Sequence, residues 1–376
     1  MQISKKLIQF FILVVFLAQY SKASDLQDVN YAFNHQKNAA AKDSFHFFRS
    51  YVDYFYLIIA ANKSNIVSFD KASSFAGWCV GDAHPENFGF LAQKNNSSLF
   101  TMNDMDDFGP CPVIYDLYRL MVSSRLYDKN INLDHILKSY LSGLNSEYIS
   151  MSSELVALLN ESQKNGTQLN SKKIVSGKFI RNAEMTEVDL NTKNEILVAL
   201  KNTNLGFSER FNIVDLVMTN KIGGGSGGLL RYEILIDDNN QMTHLELKEE
   251  VKPSIYPVAT DLIPDTNLRI QKAIQVEQGL NALPIYGSIE IKGLSMLSRP
   301  RYTGNIGVNL GDNSKVVNEE IIAYEAYTLG QIHARSIMQS DQYQKLLKNS
   351  NTAELETDVL AMVNLFNQVY EKVKNQ

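Results

Sequence analysis

The pattern of apolar and polar residues predicts that the first half of the chain is mainly helical. Apolar side chains recur at three- and four-residue steps over residues 45–59, the spacing of one face of an α-helix. The same criterion predicts a helix over residues 113–126 and further helical turns to about residue 159. Two short apolar runs, residues 75–80 and 99–102, are predicted to be buried strands because turn-forming residues follow each of them.

The pattern changes to β-strands after a polar segment. Residues 163–204 are rich in Asn, Lys and Ser, and we place a boundary near their end. Strands are then predicted at residues 211–218, 229–236, 244–249, 284–291 and 294–298. A turn signal at residues 237–240 makes the second and third of these strands a hairpin. Helices are predicted at residues 268–280, 317–338 and 355–373.

These elements predict an α+β fold with a mainly helical large lobe and a small antiparallel β lobe. Residues 24–205 are expected to form the first part of the large lobe, residues 206–300 the β lobe, and residues 301–376 the helices that complete the large lobe. A composition of 44% hydrophobic and 20% charged residues is that of a globular protein. The formal net charge of -5 argues against a general nucleic-acid binder, which normally has a basic face.

The first residues have the composition of a secretory signal peptide. Lys5 and Lys6 precede an apolar run over residues 7–18, and small residues lead to a plausible cleavage site after Ala23. The run is short for a transmembrane helix, although an uncleaved anchor remains the alternative. We therefore expect residues 1–23 to be removed and the mature protein to be exported, to the periplasm or the cell exterior, with no stable membrane span.

Candidate chemistry is concentrated in two short segments that follow the predicted strands, the first acidic turn (residues 81–89) and the second acidic turn (residues 103–109). Their candidate site residues are Asp82, His84, Asn87, Asp104 and Asp106. Buried carboxylates without partners are very costly, so these residues are not expected to belong to a core. Carboxylates, an amide and an imidazole together suit a divalent cation and a general base.

The chain has only two cysteines, and each flanks one acidic turn. Cys79 precedes the first turn and Cys111 follows the second. In an oxidising compartment they could form one disulfide across the site. Two buried, reduced cysteines that pack as small hydrophobic residues are the alternative.

A glycine-rich loop joins two predicted strands of the β-rich part. Its candidate ligand-binding residues are Gly223, Gly224, Gly225, Ser226 and Gly227. The glycines fit G-x-G-x-x-G, but a strand follows them, whereas a dinucleotide-binding fold needs a helix there. A Walker-type loop would need Lys-Ser or Lys-Thr after the last glycine, and neither follows. A flexible hairpin tip is the alternative to a phosphate-binding loop.

The glycine-rich loop leads into the predicted strand at residues 229–236, and Lys248 lies on the next predicted strand, residues 244–249. Protein kinases place the Lys that holds the ATP phosphates at the corresponding point. Glu277, on the next predicted helix, is the candidate for its ion-pair partner. An ordinary surface lysine is the alternative.

The first acidic turn resembles the catalytic loop of the aminoglycoside phosphotransferase and choline kinase branch of the kinase-like fold. The resemblance implies that Asp82 accepts the proton of a substrate hydroxyl and that Asn87 holds Mg²⁺. Asp104 resembles the second metal ligand, to which Asp106 could add a carboxylate. Asp116 resembles the Asp that braces the loop from a helix. His84 is expected to order the turn rather than to react, since Asp82 already supplies the base.

These motifs occur in an unusual order, with the acidic turns before the glycine loop. The segment Thr-Leu-Gly-Gln-Ile-His-Ala-Arg-Ser, residues 328–336, resembles the helix end that normally leads into the catalytic loop. A circular permutation of a kinase-like fold would explain this order. The same order is similar to that of an uncharacterised bacterial family whose motifs are Gly-Asp-x-His-x-x-Asn-Phe-Gly, Asn-Asp-Phe-Asp and His-Ala-Arg-Ser. The resemblance spans roughly residues 40–340, with Met105 in place of the usual Phe.

The sequence therefore favours a phosphotransferase that uses ATP and Mg²⁺ and acts on an unidentified hydroxyl-bearing substrate. An inactive nucleotide- or ligand-binding pseudokinase with the same cleft is a second hypothesis. A metal-dependent phosphoesterase is a third, but such sites need several His or Asp ligands, and the chain has only six His.

Overall fold

The computed structural model describes residues 26–66, 68, 70–220, 228–311 and 313–375. The predicted signal peptide lies outside these residues. The helices of the described part are α1 (His35–Ala40), α2 (Ser44–Ser50), α3 (Val52–Ala61), α4 (Ile114–Tyr127), α5 (Leu133–Leu144), α6 (Ser153–Asn165), α7 (Leu190–Asn202), α8 (Thr266–Ala273), α9 (Lys315–Ala334), α10 (Ser340–Lys348) and α11 (Thr352–Val373). Among the described residues, none of the helices combines the length and the apolar character needed to cross a bilayer.

The strands form four antiparallel sheets. They are β1 (Ala76–Cys79), β2 (Phe88–Ala92), β3 (Ser98–Met102), β4 (Gly109–Pro112), β5 (Ile174–Val175), β6 (Lys178–Phe179), β7 (Met185–Glu187), β8 (Asn212–Thr219), β9 (Arg231–Asp238), β10 (Gln241–Glu249), β11 (Gly287–Ile291), β12 (Leu294–Pro300) and β13 (Ile306–Gly307). The α+β class predicted from the sequence is therefore confirmed.

The largest sheet has six strands in the order β11-β12-β10-β9-β8-β7. Strands β9 and β10 form the predicted hairpin, and Asn239 and Asn240 close it with φ angles of 54° and 68°. Asn tolerates this left-handed conformation, which two-residue hairpin turns require. The turn chemistry of the sequence thus fixes where the chain reverses.

The two faces of this sheet differ in polarity because successive side chains point in opposite directions. Leu245 and Leu247 of β10 belong to the main hydrophobic core. Glu246 and Lys248 alternate with them and are also buried, at 3% and 0% exposure. A buried face that carries charges needs charged partners. Those of Lys248 come from the second acidic turn, whereas those of Glu246 are arginines of the same sheet.

Short strands hold the two acidic turns. The first acidic turn connects β1 to β2, and the second connects β3 to β4. β1 pairs with β4, whereas β2 pairs with both β3 and β13. Cys79 and Cys111 form a disulfide between β1 and β4, so the first of the two alternatives left by the sequence is the one observed. The first acidic turn follows the end of β1 and the second precedes the start of β4. Because these two ends are paired, the two turns are held next to each other.

Helices α5 and α9 pack closely through two glycines. A Cβ atom on Gly143 would lie 2.0 Å from the carbonyl oxygen of Tyr327, and one on Gly330 would lie 2.2 Å from that of Tyr140. Only glycine permits this approach. The contact positions the C-terminal end of α9 beneath the first acidic turn.

Three predicted helices have different limits in the structure. The apolar stripe over residues 45–59 forms two helices, α2 and α3, which Tyr51 separates with φ -126° and ψ 63°. The predicted helix 268–280 ends at Ala273 and continues as a π-helical turn, Ile274–Gln278. After α9 the chain forms two helices, α10 and α11, whereas the sequence predicted one, at residues 355–373. Periodicity shows which face is buried but not where the helix axis bends.

The six-stranded sheet begins upstream of residue 206, where the β-rich part was expected to start. Its edge strand β7 comes from the polar segment 163–204 and pairs with β8. Helix α7 lies in the same segment. A three-residue edge strand is too short to produce a periodic signal.

Candidate functional site

The first acidic turn begins at a position that requires glycine. Gly81 has a φ of +81°, and a Cβ atom there would lie 2.3 Å from the carbonyl oxygen of Asp107. Both the conformation and the space exclude a side chain. This close approach brings the second acidic turn against the first.

Asp116, on α4, holds the start of the first acidic turn. Its buried carboxylate accepts hydrogen bonds from the backbone N–H groups of Val80, at 2.7 Å, and Gly81, at 3.0 Å. His333 Nε2, at the end of α9, lies 3.0 Å from the same carboxylate. Asp116 thus ties the start of the first acidic turn to α4, and His333 reaches it from a distant part of the chain.

Asp82 is paired with a buried arginine. Arg119 donates two hydrogen bonds to Asp82 Oδ1, from Nη2 at 2.6 Å and from Nε at 3.1 Å. The guanidinium also stacks on the ring of Phe48, 4.3 Å from its centroid. Burial alone would raise the pKa of Asp82, but His84 and Arg119 outweigh it and hold this pKa well below its usual range. Asp82 is therefore an oriented, ionised carboxylate.

His84 contacts its own turn through both ring nitrogens. Nδ1 lies 2.5 Å from the carbonyl oxygen of Pro85, and Nε2 lies 3.5 Å from Asp82 Oδ2. Burial lowers the pKa of His84, although the Asp82 charge opposes the change. The shorter contact, to the Pro85 carbonyl oxygen, is a hydrogen bond within the turn, so His84 helps to order the turn that carries Asp82.

Asn87 connects the two acidic turns. Its side-chain Nδ2 donates to the carbonyl oxygen of Asp82 at 3.0 Å. The backbone carbonyl oxygen of Asn87 accepts a hydrogen bond from the backbone N–H of Asn103 at 2.9 Å. The side chains of Asn87 and Asp82 line the same cavity, which is described below.

The second acidic turn meets Lys248 of the six-stranded sheet. Lys248 Nζ lies 3.1 Å from Asp104 Oδ2 and also contacts Asp106 Oδ2. The side chain is fully buried, and burial lowers the pKa of Lys248, although Asp104 opposes the change. The structure therefore brings together three residues that the sequence had selected from segments about 140 positions apart.

Arg299, on β12, adds positive charge beside the same turn. Its Nη1 lies 3.5 Å from Asp104 Oδ1. Burial would raise the pKa of Asp104, but Lys248 and Arg299 together hold it below its usual range. Asp104 is therefore ionised, and both of its oxygens contact Lys248. The sequence contained no motif that identified Arg299 or Arg119, because each acts through a long-range contact.

Glu277 does not form the predicted ion pair with Lys248. Both of its carboxylate oxygens are buried without a hydrogen-bond partner, and its carbonyl oxygen accepts from Thr101 Oγ1 at 2.9 Å. Burial, followed by the charge of Asp104, raises the pKa of Glu277 well above its usual value. Lys248 pairs with Asp104 and Asp106 instead, because helix spacing alone does not determine which side chain reaches the strand.

Asp107 is a further member of the site that the sequence did not select. Its Oδ1 accepts a hydrogen bond from the backbone of Ser254 at 2.6 Å, and it lines the same cavity as Asp82. Burial, followed by the charge of Asp82, raises the pKa of Asp107 to about 6. Its position directly after Asp106 is the feature of the sequence that could have identified it as a site residue.

The donor set of the acidic turns fits a hard cation with few protein ligands. Asp104 and Asp106 supply carboxylates, Asn87 supplies an amide, and Asp106 Oδ1 is buried without a hydrogen-bond partner. Across the described residues, no group of three or more His, Cys, Asp or Glu side chains could hold a metal ion by itself. Mg²⁺ usually binds one or two carboxylates and completes its coordination with water and phosphate oxygens, so this set is sufficient.

The acidic turns open onto a cavity of about 620 Å³. Acidic side chains from both turns lie on one wall, whereas Arg49, Lys252 and Tyr256 lie on other parts of its lining. The five glycine-loop residues Gly223, Gly224, Gly225, Ser226 and Gly227 lie outside the described part of the chain. The cavity is large enough for a small molecule beside Asp82.

Comparison with known proteins gives a similarity but no assigned function. Residues 29–141 match the model of a family described as "Uncharacterized protein conserved in bacteria (DUF2252)". The matched segment contains both acidic turns and Asp116, and it ends before the six-stranded sheet. No curated protein and no solved structure matches the chain.

Proposed function

We propose that the protein is a phosphotransferase that uses ATP and Mg²⁺ and acts on a hydroxyl-bearing substrate. The observation that carries the proposal is the contact of Lys248 with Asp104 and Asp106, since it joins a cation of the sheet to two carboxylates. Asp82 and Asn87 line the same cavity as these carboxylates. Phosphoryl transfer depends mainly on positioning and on neutralisation of charge, and this arrangement offers both.

Asp104, Asp106 and Asn87 would hold Mg²⁺. When bound, Mg²⁺ would supply neutralisation of the negative charge on the phosphates. Lys248 would contact phosphate oxygens in place of its present carboxylate partners, because a phosphate offers an ammonium group stronger charge-assisted hydrogen bonds.

Asp82 would orient the substrate hydroxyl and accept its proton. Its lowered pKa makes it a weak base, but phosphoryl transfer passes through a loose transition state in which little proton removal is needed. Arg119 fixes the carboxylate through two hydrogen bonds, and His84 supports the turn.

We further propose that the fold is kinase-like and two-lobed, in circularly permuted order. The six-stranded sheet would be the small lobe, and the helices on both sides of it in sequence would be the large lobe. The bond between His333 and Asp116 supports this order, because α9 then lies where a preceding helix would lead into the first acidic turn. Lys372 lies 3.8 Å from Asp28, so the two ends of the described chain are close enough for permutation.

The test is binding of ATP by the parent protein and by Asp104→Ala, measured by calorimetry with Mg²⁺ and with a chelator. We expect Mg²⁺-dependent binding that Asp104→Ala weakens by roughly tenfold or more, the loss of about one charge-assisted contact. The exposed Asp341→Ala is the matched control and should bind as the parent does. Unchanged Mg²⁺-dependent binding by Asp104→Ala would contradict the assignment.

A second candidate function is nucleotide binding without transfer. Arg119 engages Asp82 through two hydrogen bonds from a fully buried side chain, which would keep the carboxylate away from a substrate hydroxyl. Assays of phosphate transfer from labelled ATP to small hydroxyl compounds distinguish the two. Transfer that is abolished by Asp82→Asn supports the enzyme, and tight ATP binding without transfer supports the second candidate.

A further inference from the structure

A second cavity, which also has Asp104 in its lining, contains several cationic side chains. Its volume is about 620 Å³, and it lies against the charged face of the six-stranded sheet. The cationic members of its lining are Lys172, Lys173, Arg231, Arg299 and Arg301. We refer to it as the arginine pocket. Asp104 belongs to the lining of both cavities, so the two are adjacent.

The arginine pocket is built on rigid elements. Arg231 and Arg299 project from β9 and β12, and each is held by Glu246 of β10, at 3.3 Å and 2.5 Å respectively. Arg301 approaches the same carboxylate at 3.9 Å. Glu246 therefore contacts three guanidinium groups, and over the whole lining five cationic side chains accompany the four carboxylates of Asp104, Glu184, Glu233 and Glu246.

His244 contributes an unpartnered buried atom to the same lining. It is 3% exposed, and its Nε2 lies 2.5 Å from Glu233 Oε2. Its Nδ1 is buried without a hydrogen-bond partner. The nearest partner of Glu233 is therefore His244. Since Nε2 faces a carboxylate, Nδ1 of a neutral His244 is an acceptor, and it marks a place where an O–H or N–H group of a ligand could complete the hydrogen bonding.

Two lysines close the pocket from the opposite side. Lys172 and Lys173 are exposed and lie beside the short β5–β6 hairpin. The hairpin packs on the sheet through Ile174 and Phe179, which form a small separate hydrophobic cluster. Positive charge therefore faces the pocket from the sheet and from the segment that covers it.

This lining does not suit an aromatic base. Pockets that enclose a ring are lined mainly by apolar side chains with a few polar groups. Here most of the lining residues are charged or polar, and Phe179, Ile180 and Met185 are its apolar members. Guanidinium groups match the geometry of phosphate oxygens, which they bind through paired hydrogen bonds.

We propose that the arginine pocket binds a chain of phosphate groups, so that the phosphates, and not a base, lie against the sheet. The chain would come from inorganic polyphosphate or from the phosphate tail of a nucleotide. The proposal deepens the proposed function and rests on it, in that one end of the chain would lie beside Asp104.

The test uses inorganic tripolyphosphate, ATP and adenosine as probes of the full chain, with calorimetry in a chelator. Lys173→Gln combined with Arg301→Gln removes two exposed charges of the pocket. We expect tripolyphosphate to bind the parent, and the double variant to raise its Kd by about tenfold, since each charge-assisted hydrogen bond contributes substantially. Lys201→Gln, an exposed lysine on α7 outside this lining, is the matched control.

The outcomes separate the two sources and the two proposals. ATP that binds more tightly than tripolyphosphate supports a nucleotide tail, and equal affinities support an inorganic chain. Three outcomes would overturn the proposal that the arginine pocket binds phosphates. They are no binding of tripolyphosphate, an unchanged Kd for tripolyphosphate in the double variant, and adenosine binding as tight as that of ATP. The effect of Asp104→Ala on Mg²⁺-dependent ATP binding is a separate measurement, so the proposed function can fail or stand independently.

Discussion

Neighbouring carboxylates in the two acidic turns have different affinities for protons. Asp82 is held ionised by Arg119 and His84, whereas burial and the nearby charge of Asp82 raise the pKa of Asp107 to about 6. A buried carboxyl group beside an ionised carboxylate favours its own protonated form, because its ionisation would place two negative charges together away from water. Asp107 therefore ionises at a pH closer to neutral than Asp82 or Asp104 does.

Replacement of Asp107 by Asn should change how stability depends on pH. The folded-state pKa of about 6 exceeds the ordinary value of 3.8, so the folded state binds the proton more tightly. The parent should then lose stability as pH rises through this window, by about 3 kcal/mol at pH 7. The Asn variant lacks this loss and retains an oxygen for the Ser254 N–H. Urea unfolding at a series of pH values measures the difference.

Asp341→Asn is the control, because Asp341 is exposed and should give a curve parallel to that of the parent. A curve for Asp107→Asn that is also parallel to the parent between pH 4 and pH 7 would show that Asp107 ionises normally.

At this scale the sequence identified residues by type and spacing, but it did not identify their partners. Asp82, Asn87, Asp104 and Lys248 all lie at the site. Glu277 was selected by its place on a helix, and it lies nearby without reaching Lys248. Arg119 lies one helical turn after Asp116, but nothing in that spacing indicates that its side chain reaches Asp82. Contacts of this kind depend on rotamers and on long-range packing, which spacing does not encode.

Among the elements, the paired strands β1 and β4 control the separation of the two acidic turns. The disulfide between Cys79 and Cys111 ties them, and it closes a segment with a sequence separation of 32. That segment contains both acidic turns, so the bond restricts the unfolded chain over the whole site. Such bonds persist in oxidising compartments, whereas export of the chain stays a prediction from its sequence.

Replacement of both cysteines by Ser should lower the free energy of unfolding by about 3–4 kcal/mol, from the loop entropy for this separation. Urea unfolding of the parent, the double variant and the parent with a reductant measures the effect. The reductant should lower the midpoint of the parent and leave that of the double variant unchanged. Equal sensitivity of both proteins to the reductant would exclude the disulfide as the cause.

Elements with a strong period were predicted well, and short elements were not. The hairpin β9–β10 and helix α4 lie close to their predicted limits. Strand β7 and the break at Tyr51 were missed, since three residues or one changed dihedral angle leave no periodic trace.

In the molecule as a whole, one hydrophobic core connects the helices with the six-stranded sheet. It contains Phe55 and Leu120 from the helices and Ile234 and Leu247 from the sheet. Lys248 and Arg299 add charged contacts between the sheet and the second acidic turn. Neither part can therefore lose its packing without exposing apolar surface of the other.

The chain should consequently unfold in a single transition, although its length would allow two. Trp78, the only tryptophan, stacks on Phe108 beside the acidic turns and reports on that region by fluorescence. Circular dichroism reports on all helices and strands. The two signals should give the same urea midpoint. A fluorescence midpoint clearly separated from the circular-dichroism midpoint would show that the sheet and the acidic turns unfold independently.

The sequence by itself determined the fold class, the hairpin, the two acidic turns and Lys248, because periodicity and turn chemistry are local properties. The tertiary structure decided which of these residues meet. It joined Lys248 to Asp104 and Asp106, excluded Glu277 from that pair, and assembled the arginine pocket from residues that no motif connects. Charges from distant segments are brought together only when the core packs, since the energy of burying them is lowered by partners that the linear chain does not specify.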